Sequence, residues 1–191
     1  KKRARALAKS KAGLSVEDEG ATKSGNSNII NRRRHLVLVV QNQTGLSNLF
    51  KLISESYTEE NFYRFPRIDY KLLKKYNEGI IAASACLGGV YAGCLWEKRE
   101  EGDEAVLEAM REVTRKMMDV FGDRWYGELQ WNNVPEQDQL NKFIIQMSKE
   151  FGFKLISTAD SHYPNPDAWK DRELYKRLGW LGRGMPKWAE G

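Results

Sequence analysis

The chain has 191 residues, 41% of them apolar, with six Trp, eight Tyr and seven Phe, which suits one folded domain or most of one and excludes general disorder. The formal charge of +5 is uneven: residues 1–34 hold ten Lys/Arg against three Asp/Glu, a balance of +7, and the remaining residues carry −2. No run approaches the about 18 apolar residues a membrane helix needs, and the basic N-terminus lacks the apolar core of a secretory signal. Cys86 and Cys94 are the only cysteines, a usage that points to a reduced, cytoplasmic protein and not a disulfide scaffold. The first residue is Lys1, not Met, so a fragment of a longer chain is expected.

Residues 1–12 are rich in Ala, Lys and Arg and are expected to form a short helix. A basic arm of this kind either contacts nucleic-acid phosphates or is a solvated surface. Residues 13–31 combine Gly, Ser, Asn and Thr with few aliphatics and read as a long loop. The β-branched run 35–41 reads as a strand. Residues 45–57 place Leu46, Leu49, Phe50, Leu52 and Ile53 at helical spacing, with Thr44 as the expected cap. Asp69 caps a short helix over 70–76, and residues 79–83 form a buried strand. Helices follow over 90–98 and 104–121, the second with Val106, Met110, Val113, Met117 and Val120 on one stripe. Residues 124–130 are a strand. Pro135 opens a helix that runs to about residue 151 with Leu140, Phe143, Ile144 and Met147 inward. Residues 153–158 are the last strand and 167–178 the last helix. Strands alternate with helices of crossover length, so an α/β architecture with a largely parallel sheet or a barrel is expected.

Asp160 and His162 stand just past the last apolar run. Ligand sites of α/β sheets gather at strand ends, and carboxylate plus neutral imidazole suits Zn, Mn or Fe. The alternative is a turn in which Asp160 is a cap and His162 a surface group. Cys86 lies in Ser-Ala-Cys-Leu-Gly-Gly, directly after a buried strand. It is either a soft thiolate ligand or a small buried apolar group. Cys94 reads as core, and His35 alone as an edge histidine. Glu128 alternates with apolar neighbours and either points to a site or faces solvent at an exposed strand end, the second reading being preferred. Trp131, Trp169, Trp180 and Trp188 invite base stacking, but core packing is the reading preferred. There is no G-x-x-x-x-G-K-S/T loop, no C-x-x-C pair and no assignable Ser/His/Asp triad.

The order of segments carries more than any one of them. His35-Leu-Val-Leu-Val-Val-Gln-Asn-Gln-Thr-Gly comes first, then Phe62-Tyr-Arg-Phe-Pro-Arg-Ile-Asp, Glu78-Gly-Ile-Ile-Ala-Ala-Ser-Ala-Cys-Leu-Gly-Gly, Tyr126-Gly-Glu-Leu-Gln and Thr158-Ala-Asp-Ser-His-Tyr. This series, from about residue 35 to 167, resembles the PHP (polymerase and histidinol phosphatase) domain of bacterial DNA polymerase III alpha subunits. The resemblance implies a distorted (βα)7 barrel with a cluster of divalent ions at one rim. It places four of nine usual ligands on His35, Cys86, Asp160 and His162. The family's opening His-x-His strand and three further ligands, five ligands in all, are not found in this sequence, so the chain is expected to be the C-terminal two-thirds of the domain, incomplete in its first strands. Residues 1–34 then read as a variable connector, 35–180 as the partial PHP domain, and 181–191 as a tail or the start of a further region.

Function follows as an expectation. The chain would be part of a DNA-directed DNA polymerase, without polymerase catalytic carboxylates of its own. Bound metals, held weakly by a partial ligand set, would polarise a phosphate and lower the pKa of water to about 7, as 3′–5′ proofreading requires. The alternatives are a docking surface for a separate exonuclease, a stand-alone PHP phosphoesterase, and a non-catalytic module complementing a separate N-terminal piece. Cys86 argues against the phosphoesterase, since such enzymes usually have histidine at that position. The implied partners are DNA, an exonuclease and other replisome subunits, with no membrane.

Overall fold

The computed structural model describes residues 33–62 and 65–181; the helix expected in 1–12 and the loop in 13–31 lie outside them. From Arg34 onward the described residues form one unit. Its elements are β1 (Val37–Val40), α1 (Gln43–Ser56), α2 (Tyr70–Tyr76), β2 (Ile80–Ala83), α3 (Val90–Lys98), α4 (Asp103–Phe121), β3 (Trp125–Gln130), α5 (Pro135–Phe151), β4 (Lys154–Thr158) and α6 (Trp169–Leu181).

Local chemistry sets the boundaries. Asn42, not Thr44, caps α1: its Oδ1 accepts from the Gly45 amide at 2.9 Å, so the helix starts two residues earlier than expected. Asp69 caps α2 through the Leu72 amide at 2.8 Å. Pro135 occupies the first turn of α5, where its missing N–H costs nothing. Gly152 ends that helix in the left-handed region, φ +78°. The last helix is preceded by a 3₁₀ turn at Pro166–Ala168 and starts at Trp169.

The sheet runs in the order β1-β2-β3-β4. Strands β2, β3 and β4 are parallel, joined by helical crossovers as expected. Strand β1 is antiparallel to β2, with Val37 opposite Ala83 and Val40 opposite Ile80, so the sheet is mixed. Strand β3 lies between parallel neighbours. One face of the sheet carries the helices. Trp125 of β3 meets Tyr91 of α3 edge to face, with ring centroids 5.8 Å apart. A side chain at Gly127 would run into Ile144 of α5. Met110, Met117, Leu140, Ile144 and Met147 fill this layer and are buried; full burial of such a side chain contributes about 1.5–3 kcal/mol. Cys94 is buried here, as expected.

The opposite face carries Val37, Val39, Ile81, Tyr126, Glu128 and Gln130 by strand alternation and register. Val37 and Val39 are exposed on it. At the strand starts, Arg124 donates from Nη1 to the Asn77 and Ile80 carbonyls and from Nη2 to Asn77 Oδ1 at 2.8 Å, tying β2 to β3. Two expectations about aromatics fail. Trp131 and Trp169 are exposed, not core, because one lies just past a strand end and the other opens the last helix. The side chain of Trp180 and the whole of Trp188 lie outside the described residues.

Candidate functional site

The turn after β2 is built on close backbone approach. Ala85 adopts φ +63°, a conformation rare for a residue with a Cβ. The Gly89 amide donates to the Cys86 carbonyl at 2.7 Å. Any side chain at Gly89 would collide with the Ser84 carbonyl, so the tight turn requires glycine. Trp96 of α3 donates from Nε1 to the Leu87 carbonyl at 2.9 Å and holds the turn from the helix side.

His35 is laid against this turn. Its amide donates to the Gly88 carbonyl at 2.9 Å, and it pairs with Gly89 in a one-residue parallel bridge. The neighbouring Arg34 lies across Gly93 and bonds Glu97 at 2.6 Å, fixing the segment on α3. The His35 ring packs over Gly88, where a Cβ would sit 3.0 Å from Nδ1. Cys86 Sγ then lies 3.5 Å from His35 Nδ1, and the Gly88 amide donates to the same sulfur at 3.4 Å.

This pair has the geometry of two ligands on one cation. A tetrahedral zinc, with Zn–S near 2.3 Å and Zn–N near 2.0 Å, separates its sulfur and nitrogen by about 3.5 Å. The donor types and spacing at His35 and Cys86 therefore fit a divalent cation.

Asp160 and His162 follow β4. Asp160 is left-handed, φ +48°, which aspartate tolerates better than most residues. His162 Nδ1 lies 2.6 Å from the Asp160 carbonyl oxygen. A carbonyl only accepts, so Nδ1 is the donor, and Nε2 is the ring nitrogen left to serve a metal, as in metal-binding histidines whose other nitrogen is bound by a carbonyl. The structure thus brings the side chains of His35 and Cys86 together, while His162 meets Asp160 through that residue's backbone carbonyl. Among the described residues, no group of three or more His, Cys, Asp or Glu side chains converges on one point.

Glu128 corrects the sequence reading. It is 5% exposed, not solvated, because β3 is sandwiched between β2 and β4. Its Oε1 accepts from Thr158 Oγ1 at 2.5 Å and from Gln130 Nε2 at 3.0 Å. Its amide donates to Ser84 Oγ at 2.8 Å. Asn141 of α5 closes the network by donating to the Gln130 carbonyl at 2.7 Å. Sequence reasoning missed Ser84, Gln130, Thr158 and Asn141. The available signal was a Glu and a Gln two residues apart in an otherwise apolar strand. Beyond the strand end, Trp131 donates from Nε1 to Ser157 Oγ at 2.6 Å. It borders an open recess of about 380 Å³ lined by Gln130, Asn132, Asn133 and Asn141.

Comparison with known proteins adds the family context. Residues 3–132 match the model of the PHP domain; this span reaches upstream of His35 and stops short of Asp160. The chain is similar to the DNA polymerase III subunit alpha of Aquifex aeolicus, 44% identical over 150 residues, 76% of this chain and 12% of that one. The Borreliella burgdorferi subunit is 40% identical over 131 residues, covering 69% of this chain and 11% of its own. The Helicobacter pylori subunit is 38% identical over 147 residues, covering 75% and 12%. The chain therefore spans only 11–12% of the length of these relatives. No helix among the described residues is long and apolar enough to cross a membrane.

Proposed function

The chain belongs to the PHP domain family, and from that premise we propose that it is the PHP module of a DNA polymerase III alpha-like replicative polymerase, with His35, Cys86, Asp160 and His162 as its divalent-cation ligands. The four-stranded sheet is, in this reading, an arc of a distorted (βα)7 barrel. Nucleotidyl transfer, DNA and replisome partners belong to the polymerase as a whole.

The observation that carries the proposal is the meeting of His35 and Cys86, 51 residues apart in sequence, at ligand spacing. A bound divalent cation supplies Lewis-acid polarisation of a phosphate oxygen, the chemistry of phosphodiester cleavage in 3′–5′ proofreading. The chain's own residues prepare for it. The Gly88 amide is directed at Cys86 Sγ, and the Asp160 carbonyl accepts from His162 Nδ1, which leaves Nε2 as the ring atom turned to other partners.

Metal analysis of the purified chain tests this. Wild type is expected to retain more Zn, Mn or Fe than Cys86→Ser or His162→Ala. Equal metal in all three would remove the ligand assignment.

A second reading is supported by the exposed Val37 and Val39 on the sheet face without helices. In it the module serves as an interaction surface that complements a separate N-terminal PHP piece or docks an exonuclease. Co-purification with the upstream piece, with a rise in melting temperature on mixing, is the expected result; an unchanged melting temperature would count against it.

A further inference from the structure

Cys86 sits on the loop after β2, with His35 laid against it from the segment before β1, and Asp160 and His162 sit on the loop after β4; β3 lies between β2 and β4. Glu128 of β3 is bound on both sides. Its backbone amide is bound by Ser84, two residues before Cys86. Its carboxylate is bound by Thr158, two residues before Asp160. The Glu128 side chain is almost wholly buried. Oε1 takes both hydrogen bonds, and Oε2 has none among the described residues.

A buried carboxylate is costly unless its position is strongly held. Here the carboxylate is held by the Thr158 hydroxyl and the Gln130 amide, and the Ser84 hydroxyl holds the backbone of the same residue by accepting from its N–H. The Ser84 hydroxyl also extends the β2–β3 pairing, which covers only two residue pairs by strand register. The Ser84 amide adds a bond to the Tyr126 carbonyl at 3.1 Å. Gln130 supports the same carboxylate and reaches Thr158 at 3.4 Å.

We propose that Glu128, clasped by Ser84 and Thr158, is a positioning residue that sets the spacing between the Cys86 turn and the Asp160–His162 turn. This inference rests on the metal reading above. Glu128 acts through the loops and not as a ligand. Groups that orient metal ligands typically change affinity by about 10–100-fold when removed.

The test is zinc affinity of the 191-residue chain, stripped with chelator and titrated with zinc against a chromophoric competitor. Thr158→Val keeps the shape and removes the hydroxyl. It is expected to weaken zinc binding by about tenfold or more, and Thr158→Ser, which restores the hydroxyl, to recover it. Ser84→Ala makes the same test at the other end of the clasp and stands in should Thr158→Val fail to fold. A merely structural role would lower the melting temperature and leave the affinity of the folded chain alone. Wild-type affinity in Thr158→Val and Ser84→Ala, with affinity lost in Cys86→Ser and His162→Ala, would overturn the positioning role and leave the metal site standing. Unchanged affinity in Cys86→Ser and His162→Ala would overturn both.

Discussion

Gly45, in the first turn of α1, is pressed against Gly79 at the entry to β2, so that a Cβ on Gly45 would collide with the Gly79 carbonyl. The obstacle is backbone on both sides. The contact lets Asn42 cap the helix beside the turn, and the Gln41 amide donates to the same Gly79 carbonyl at 2.9 Å. Gly45→Ala is expected to destabilise the fold by about 1–3 kcal/mol, the usual range for overpacking. Urea unfolding would show a lower midpoint at unchanged slope. A wild-type midpoint would show that the two segments separate freely.

Gly88→Ala tests the candidate metal pair by steric means alone. The added methyl would sit 3.0 Å from His35 Nδ1 and Cε1, and the ring must move away from Cys86. Zinc affinity is expected to fall about tenfold, with little change in melting temperature because His35 is exposed. Unaltered zinc binding would mean that the Sγ–Nδ1 separation does not matter.

Stability is expected to fall in alkali. Burial pushes the Cys94 thiol up to about 11 from 9.0. It pushes the Tyr91 hydroxyl up to about 12 from 10.0, against hydrogen bonds from Thr114 and Trp125 that act the other way. Both groups are acids held neutral by the fold. Their contribution is whole below the unfolded values and is lost as pH rises, through 9 to 11 for Cys94 and 10 to 12 for Tyr91, where the unfolded chain has released protons that the native chain keeps. Denaturation midpoints should drop across this window. Tyr91→Phe and Cys94→Ala should each flatten the slope, and a slope identical to wild type in both would refute the assignment.

Arg111 on α4 gathers three carboxylates. It bonds Glu104 at 2.7 Å and Glu108 at 3.1 Å from Nη1, and Glu150 of α5 at 2.9 Å from Nε. Glu104, then Glu150 and Glu108, hold the guanidinium more firmly protonated than usual. Arg111→Met would leave these acids facing one another. The melting temperature is expected to fall at low salt and the loss to shrink at high salt, since exposed charges are screened. A loss independent of salt would point instead to the packing of the arginine stem.

Legibility from sequence followed the range of the interactions involved. The capped helix α2 and the bounds of α3 were readable because the relevant contacts lie within a few residues. The α4 stripe was readable because its period reflects one buried face. The antiparallel run of β1 was not, since strand direction leaves no local trace. Glu128 was misread for the same kind of reason: its burial depends on β2 and β4 flanking β3, not on its neighbours in sequence. Composition and spacing say nothing of a contact between His35 and Cys86. Family resemblance alone singled out the pair. Trp131 was assigned to the core by residue type, whereas its place just past a strand end leaves it in solvent.

Arg124 makes the sheet mechanically lopsided. At the strand starts β2 and β3 are riveted by its guanidinium, which presents a rigid fork of donors to the Asn77 and Ile80 carbonyls and Asn77 Oδ1. At the opposite margin they rest on the hydroxyl and the amide of Ser84. Breathing of the sheet is therefore expected to be hinged, opening from the His35–Cys86 rim before the riveted margin, so that amide protons near Ser84 and Glu128 would exchange with solvent before those near Ile80.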